Sequence, residues 1–291
     1  MATDIKTSEK FLAYDGDCPM CLATVGMLES LGLVRPEQLR SNHELDPGEL
    51  ETAQQAGIRN QLVVIDPASG EVRAGSDGLL WIVGDKPGYG ALVGLLSLPG
   101  LRHLLRFGYE IVSYNRRIIS PPAHQIRCDC EPEVTVGRRL TLIVPAWLFS
   151  IVAVAGYGAA AFVGWQLGTA AAGAVFMTVG CYTGWLLLAT AGLVLLPGKR
   201  LDYVAHLSVT MFTGALILLP AIALMPWLAR WASVAIGVLA LMFCFSTMFK
   251  MQVRRVKVQQ LGLPWLWGWT AAMLGAFAVC VTVYFRGQLF G

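Results

Sequence analysis

Two hydrophobic patterns divide the chain. Up to about residue 122, apolar positions come in short runs broken by turn-forming and charged residues. Phe11-Leu12-Ala13-Tyr14 and Gln61-Leu62-Val63-Val64-Ile65 have the length and content of buried strands. After the turn Asp66-Pro67-Ala68-Ser69-Gly70, the segment Glu71-Val72-Arg73-Ala74 reads as a returning hairpin strand. Leu22, Val25, Leu28 and Leu31 recur on one side of a first helix, and Pro47 to Gln55 is a candidate second helix inside a polar, turn-rich stretch from Glu37 to Leu50. Gly75-Ser76-Asp77 opens a helix through Leu79, Leu80 and Val83, with Ser76 or Asp77 as cap. A longer amphipathic helix is expected from Leu101 to about Arg117, closed by Pro121-Pro122. This order, βα then ββα, predicts a small thioredoxin-like α/β domain of roughly 120 residues, an ordinary domain size.

From about residue 140 the pattern changes. Five apolar stretches, near 141–164, 169–197, 203–226, 229–249 and 264–285, each reach the roughly twenty residues that a bilayer-spanning helix needs. They predict an all-α C-terminal membrane domain of five transmembrane helices. The expected division is a thioredoxin-like domain over 1–122, a linker over 123–139 and a membrane domain over 140–291.

Charge sharpens that division. Residues 1–133 carry twelve basic and eighteen acidic residues, whereas 134–291 carry ten basic residues and a single acid, Asp202. The net charge of +3 therefore describes neither half. Arg138, Arg139, Lys199, Arg200, Lys250, Arg254, Arg255 and Lys257 fall on one side of the predicted spans, against Arg230 and Arg286 on the other. The positive-inside rule then puts the N-terminus in the cytoplasm and the C-terminus outside, in a multi-pass protein of the cell (inner) membrane. Eight of the nine tryptophans lie in this half, several near span ends as an interfacial belt requires. No apolar signal segment precedes residue 18, which agrees with a cytosolic N-terminal domain. No ionisable residue lies near a span centre, which weighs against an ion-coupled transporter.

The candidate chemistry lies in Asp15-Gly16-Asp17-Cys18-Pro19-Met20-Cys21, between the first strand and the first helix. Unpaired N–H groups at a helix start lower the pKa of a thiol placed there, so Cys18 is the candidate nucleophile. Cys21, one turn on, is placed to resolve a mixed disulfide. In a reducing compartment such a pair points to catalysis or metal binding rather than a structural staple. Asp17 pulls the other way, because a carboxylate beside Cys18 raises its pKa. Asp15 has two open readings: a buried carboxylate relaying protons to Cys21, or a turn residue holding backbone N–H groups.

Cys128 and Cys130 form a Cys-x-Cys that needs a partner to act. It is a candidate electron acceptor for Cys18–Cys21, or half of a four-thiolate site for zinc, copper or an iron–sulfur cluster. Cys181, Cys244 and Cys280 are isolated in separate spans and read as packing residues. His206, near Asp202 at the mouth of the third span, reads as an interfacial polar residue more readily than as a quinone or haem site. Gly156, Ala160 and Gly164, and Gly180 with Gly184, are small-residue patterns suited to helix packing. Arg102, Arg106, Arg116 and Arg117 form either a solvated face or a contact for anionic lipid headgroups.

Several separated segments resemble, in order, the DCC family of thiol-disulfide oxidoreductases, named for an Asp-Cys-Cys signature. They are Tyr14 to Cys21, Val63-Val64-Ile65-Asp66 with Gly70, Gly75-Ser76-Asp77, Leu98-Pro99-Gly100-Leu101-Arg102 and Tyr114-Asn115-Arg116-Arg117. The resemblance covers about residues 10–120 and carries the signature onto Asp15, Cys18 and Cys21. It implies a thioredoxin-like fold and redox activity, and nothing about the membrane half. Thioredoxins proper place a cis-proline before the strand facing the dithiol; here Gly57-Ile58-Arg59-Asn60-Gln61 holds none, so metal binding is less strongly excluded.

The expectation is a membrane-anchored thiol-disulfide oxidoreductase working through a cytoplasmic Cys18–Cys21 couple without a cofactor. Its partners would be a protein or small-molecule disulfide, the lipid bilayer and a membrane protein, with no nucleic acid. The alternatives are a soft-metal binding or delivery module built on Cys18, Cys21, Cys128 and Cys130, and a non-catalytic membrane assembly factor.

Overall fold

The computed structural model describes residues 9–121 and 135–290, with the backbone alone at 276, 279, 280 and 283–290. Cys128 and Cys130 thus lie outside the described residues. The chain divides into two compact units, Met1–Arg138 and Arg139–Gly291.

The first unit is built on a four-stranded mixed sheet in the order β2-β1-β3-β4. Its strands are β1 (Phe11–Tyr14), β2 (Leu39–Ser41), β3 (Val63–Ile65) and β4 (Val72–Ala74). β1 runs parallel to β2, with Leu12 opposite Leu39, and antiparallel to β3, with Leu12 opposite Val64. β3 and β4 form the expected hairpin. Alternation sorts the central strands onto two faces. Leu12, Leu62 and Val64 meet α1 (Pro19–Ser30) and α3 (Gly75–Gly84) through Val25, Leu28 and Ile82. Phe11, Ala13, Val63 and Ile65 meet Ala53 of α2 (Pro47–Gln55) and Ile58. Burial on both faces is why these strands read as unbroken apolar runs.

The structure departs from the sequence reading in four local ways. β2 falls in the stretch read as polar and turn-rich; it is a three-residue edge strand with no fully buried side chain. The buried stripe of α1 is Cys21, Val25 and Leu28, while Leu22 and Leu31 are exposed. Spacings of three residues drift about 60° per step around a helix, whereas four followed by three holds one face. α3 begins at Gly75 without a side-chain cap, and Asp77 instead pairs with Arg102 and Arg106. The long helix is broken at Asn115 into α5 (Pro99–Tyr114) and the single turn α6 (Arg116–Ile119), and a short helix α4 (Gly90–Leu96) precedes them.

The second unit contains five long helices: α7 (Val136–Gly164), α8 (Ala170–Leu195), α9 (Arg200–Leu224), α10 (Arg230–Val258) and α11 (Leu263–Phe290). Four of them, α7 to α10 with α9 prolonged to Trp227, are long and apolar enough to cross a membrane. The fifth expected span folds as the helix α11, which is not among the four candidates found in the described residues, so five crossings are not confirmed. α10 runs nine residues beyond the predicted end at 249, so Lys250, Arg254, Arg255 and Lys257 lie on its last turns rather than in a loop.

α7 and α8 approach closely at Gly158 and Gly173, where a Cβ on either would collide with the other's carbonyl, whereas a Cβ on Gly156 would only touch Ile222. Some polar groups inside the bundle are matched, while Tyr203 Oη, Trp269 Nε1 and both side-chain amide atoms of Gln259 are buried without a hydrogen-bond partner among the described residues. Arg139 Nε donates to Asp202 at 2.8 Å, Trp147 Nε1 to Ser208 Oγ at 2.8 Å, and Tyr157 Oη to the Gly237 carbonyl at 2.7 Å. His206 is buried within the bundle, with its Nδ1 2.5 Å from Arg255 Nη1.

Candidate functional site

The end of β1, the start of α1 and the turn α6 bring four side chains together. Asp15 ends the apolar run of β1, and its Oδ1 accepts a hydrogen bond from Asp17 N at 3.0 Å, fixing the turn into the helix. Pro19 takes the first helical position, where its missing N–H costs nothing and its fixed φ suits the helix. Cys18 becomes the N-cap, and Cys21 N donates to its Sγ at 3.4 Å.

Arg116 completes the group from the other end of the domain. Its Nη2 donates to Asp15 Oδ2 at 3.2 Å and to the Arg59 carbonyl at 2.8 Å, while Nη1 lies 3.5 Å from Cys21 Sγ. Asp15 and Arg116 are 1% and 4% exposed, so a charged pair has been taken out of water, with the guanidinium satisfied on three sides. Both thiols are also buried, at 7% each. A cavity of about 60 Å³ reaches Cys21, lined among others by Met20, Gln61, Leu62, Val112 and Arg116.

These surroundings separate the two thiols. The Cys18 thiol is lowered to about 6: the hydrogen bond from the Cys21 thiol, the N–H groups of Cys21 and Met20 and the charge of Arg116 outweigh burial. The Cys21 thiol is pushed up, because it is the donor in that bond and is deeply buried beside a developing thiolate. Asp17, expected to oppose ionisation of Cys18, faces His43 instead, with 3.2 Å between carboxylate and imidazole. Such a pair offers a thiolate ready to attack and a protonated thiol held in reserve.

Residues 12–120 match the DCC1-like thiol-disulfide oxidoreductase family. The match covers the sheet and its helices and none of the membrane-type helices. No curated protein and no solved structure matches the chain significantly. Within the matched region, the structure gathers Asp15, Cys18 and Cys21, the three residues singled out in the sequence. Among the described residues no group of three His, Cys, Asp or Glu side chains is arranged to hold a metal ion.

Sequence reasoning missed the role of Arg116, which stood among four arginines read as a solvated or lipid-facing set. A signal was available in Tyr114-Asn115-Arg116-Arg117: Asn115 halts the helix, with φ −111° and ψ 12°, and turns the next side chain inward. Tyr109 was also missed. Its buried hydroxyl accepts from Leu62 N at 2.8 Å, just before β3, and burial pushes its pKa up to about 12.

Proposed function

We propose that this protein is a membrane-anchored thiol-disulfide oxidoreductase whose DCC1-like domain has a thioredoxin-like fold and cycles Cys18 and Cys21 between dithiol and disulfide. The observation that carries the reading is the N-cap position of Cys18, with its thiol lowered to about 6 beside the Cys21 N–H and Arg116. The sheet order β2-β1-β3-β4, with a dithiol helix directly after β1, supports the fold assignment.

In the reducing direction the Cys18 thiolate attacks one sulfur of a client disulfide. A Cys18–client bond forms, the client S–S bond breaks, and the second client sulfur leaves as a thiolate. Cys21 then loses its proton and attacks Cys18 Sγ, releasing the first client sulfur and closing the Cys18–Cys21 disulfide. Two electrons pass from protein to client, and an external dithiol restores the pair by the same exchange. Asp15 is a proton acceptor within the cluster, and Arg116 stabilises negative charge as it forms on Cys21. The reverse sequence oxidises a client dithiol.

The basic residues at the ends of the apolar helices support a cytoplasmic N-terminal domain, and an outward C-terminus additionally requires α11 to cross the membrane as a fifth span. The client is a protein or small-molecule disulfide, delivered at the membrane or by a membrane protein. The test is turnover of insulin or glutathione disulfide by the full chain, with the Cys18–Cys21 couple titrated against glutathione. Cys18→Ser is expected to abolish turnover and Cys21→Ser to trap a mixed disulfide. Undiminished turnover by Cys18→Ser overturns the reading.

A further inference from the structure

α5 is docked on its own domain by the wrong face for a soluble protein. The side chains that tie it down are polar: Tyr109 accepts from Leu62 N, Ser113 donates to the Asn60 carbonyl, and Arg102 and Arg106 pair with Asp77. At 100° per residue these four fall within one arc of about 60°. Leu104 and Phe107 lie on the opposite side, at 65% and 50% exposed, and Leu101 and Val112 stand exposed on the flank. Leu92 and Leu95 of α4, and Leu98 before α5, are exposed as well. A surface helix normally turns its apolar stripe toward the core, so this inversion requires another covering.

Two further observations identify it as lipid. Sixteen residues separate α6 from α7, the first of the four membrane-length helices, and even fully extended they reach only about 55 Å. The domain is therefore held permanently within reach of a bilayer. Charge also agrees. In a half of the chain with an acidic excess, α5 carries Arg102, His103 and Arg106 against Glu110 alone, with Arg102 and Arg106 about half exposed while bound to Asp77. An exposed apolar face on a helix that also carries half-exposed arginines is the make-up of a helix lying in the headgroup region.

We propose that α5, with the end of α4, is an interfacial helix that lays Leu101, Leu104, Phe107 and Val112 into the surface of the bilayer. Val112 and Ser113 also line the cavity beside Cys21, so docking would hold that cavity at the membrane surface.

The test uses the full chain in phosphatidylcholine vesicles containing phosphatidylglycerol. An environment-sensitive fluorescent amino acid, introduced by codon suppression in place of Leu104, Phe107, His103 or Glu110, is quenched by nitroxide-labelled lipid. Quenching several-fold stronger at 104 and 107 than at 103 and 110 is the expected result. Equal quenching at the four positions overturns the proposal. As a check that needs no substitution, a photoactivatable lipid is crosslinked to the unaltered chain and the adducts are mapped. Adducts on the Leu101–Val112 segment support docking, and their absence, or protection of that segment by a second copy or another protein, overturns it. Neither measurement involves the cysteines, so failure here leaves the redox reading standing.

Discussion

Cys18 and Cys244 are equally buried, at 7% each, one in the N-terminal sheet domain and one in the helical bundle. Their surroundings differ entirely. Cys18 caps a helix, accepts a backbone N–H and has a guanidinium nearby. Cys244 lies in the interior of α10, its Sγ donating to the Gly214 carbonyl at 3.5 Å and sitting 3.5 Å from Met248 Sδ. One environment offers donors to a thiolate and the other offers acceptors to a thiol. Burial alone therefore does not separate a reactive cysteine from a packing one; the sign of the neighbouring partial charges does.

The widest expected gap is in reactivity. Alkylation of the reduced chain by iodoacetamide, followed residue by residue by mass spectrometry, should modify Cys18 at least about a hundredfold faster than Cys244 at neutral pH. Because the Cys18 thiol is lowered to about 6, its rate should rise about tenfold per pH unit below that value and level off above it. A Cys18 profile that is still climbing at pH 8 would erase the contrast.

The next effect concerns what keeps the site charged. Arg116→Met leaves the Asp15 carboxylate buried without its partner, and breaking such a pair costs roughly 3–5 kcal/mol. Hydrogen exchange at the amides from Asp15 to Cys21 should accelerate accordingly, and the Cys18 alkylation midpoint should move upward. Arg116→Lys keeps the charge but cannot span Asp15, the Arg59 carbonyl and Cys21 together, so it should recover only part of both. The smallest effect is at Tyr109→Phe. Leu62 N loses its acceptor, which costs about 1 kcal/mol, read as faster exchange of that amide with Cys18 reactivity retained.

Much of this was legible in the chain, for physical reasons that differ from place to place. β1 and β3 are buried on both faces, so their unbroken apolar runs announced them. The dithiol was legible because Cys-x-x-Cys spacing spans one helical turn and Pro19 marks where that turn starts. β2 was hidden because an edge strand of three half-buried residues needs no hydrophobic signature; parallel pairing with β1 and the stacking of Arg40 over Phe11 hold it. Arg116 was hidden because its partner Asp15 is 101 positions away, and an arginine pair after an amphipathic helix looks like surface. α5 itself was correctly read as amphipathic. Periodicity states that a helix has two unlike faces and is silent on which one turns inward.

The amide of Leu62 has a wider bearing. It borders the cavity beside Cys21, on the segment entering β3, and its hydrogen is already committed to the phenol of Tyr109, while its carbonyl receives Gly75 N at 2.8 Å. A visiting polypeptide that tried to align there as an extra ribbon would find no main-chain hydrogen on offer. Main-chain pairing is thus closed at this residue, and what faces the cavity instead is side chains, among them Met20, Thr24, Val112 and Arg116.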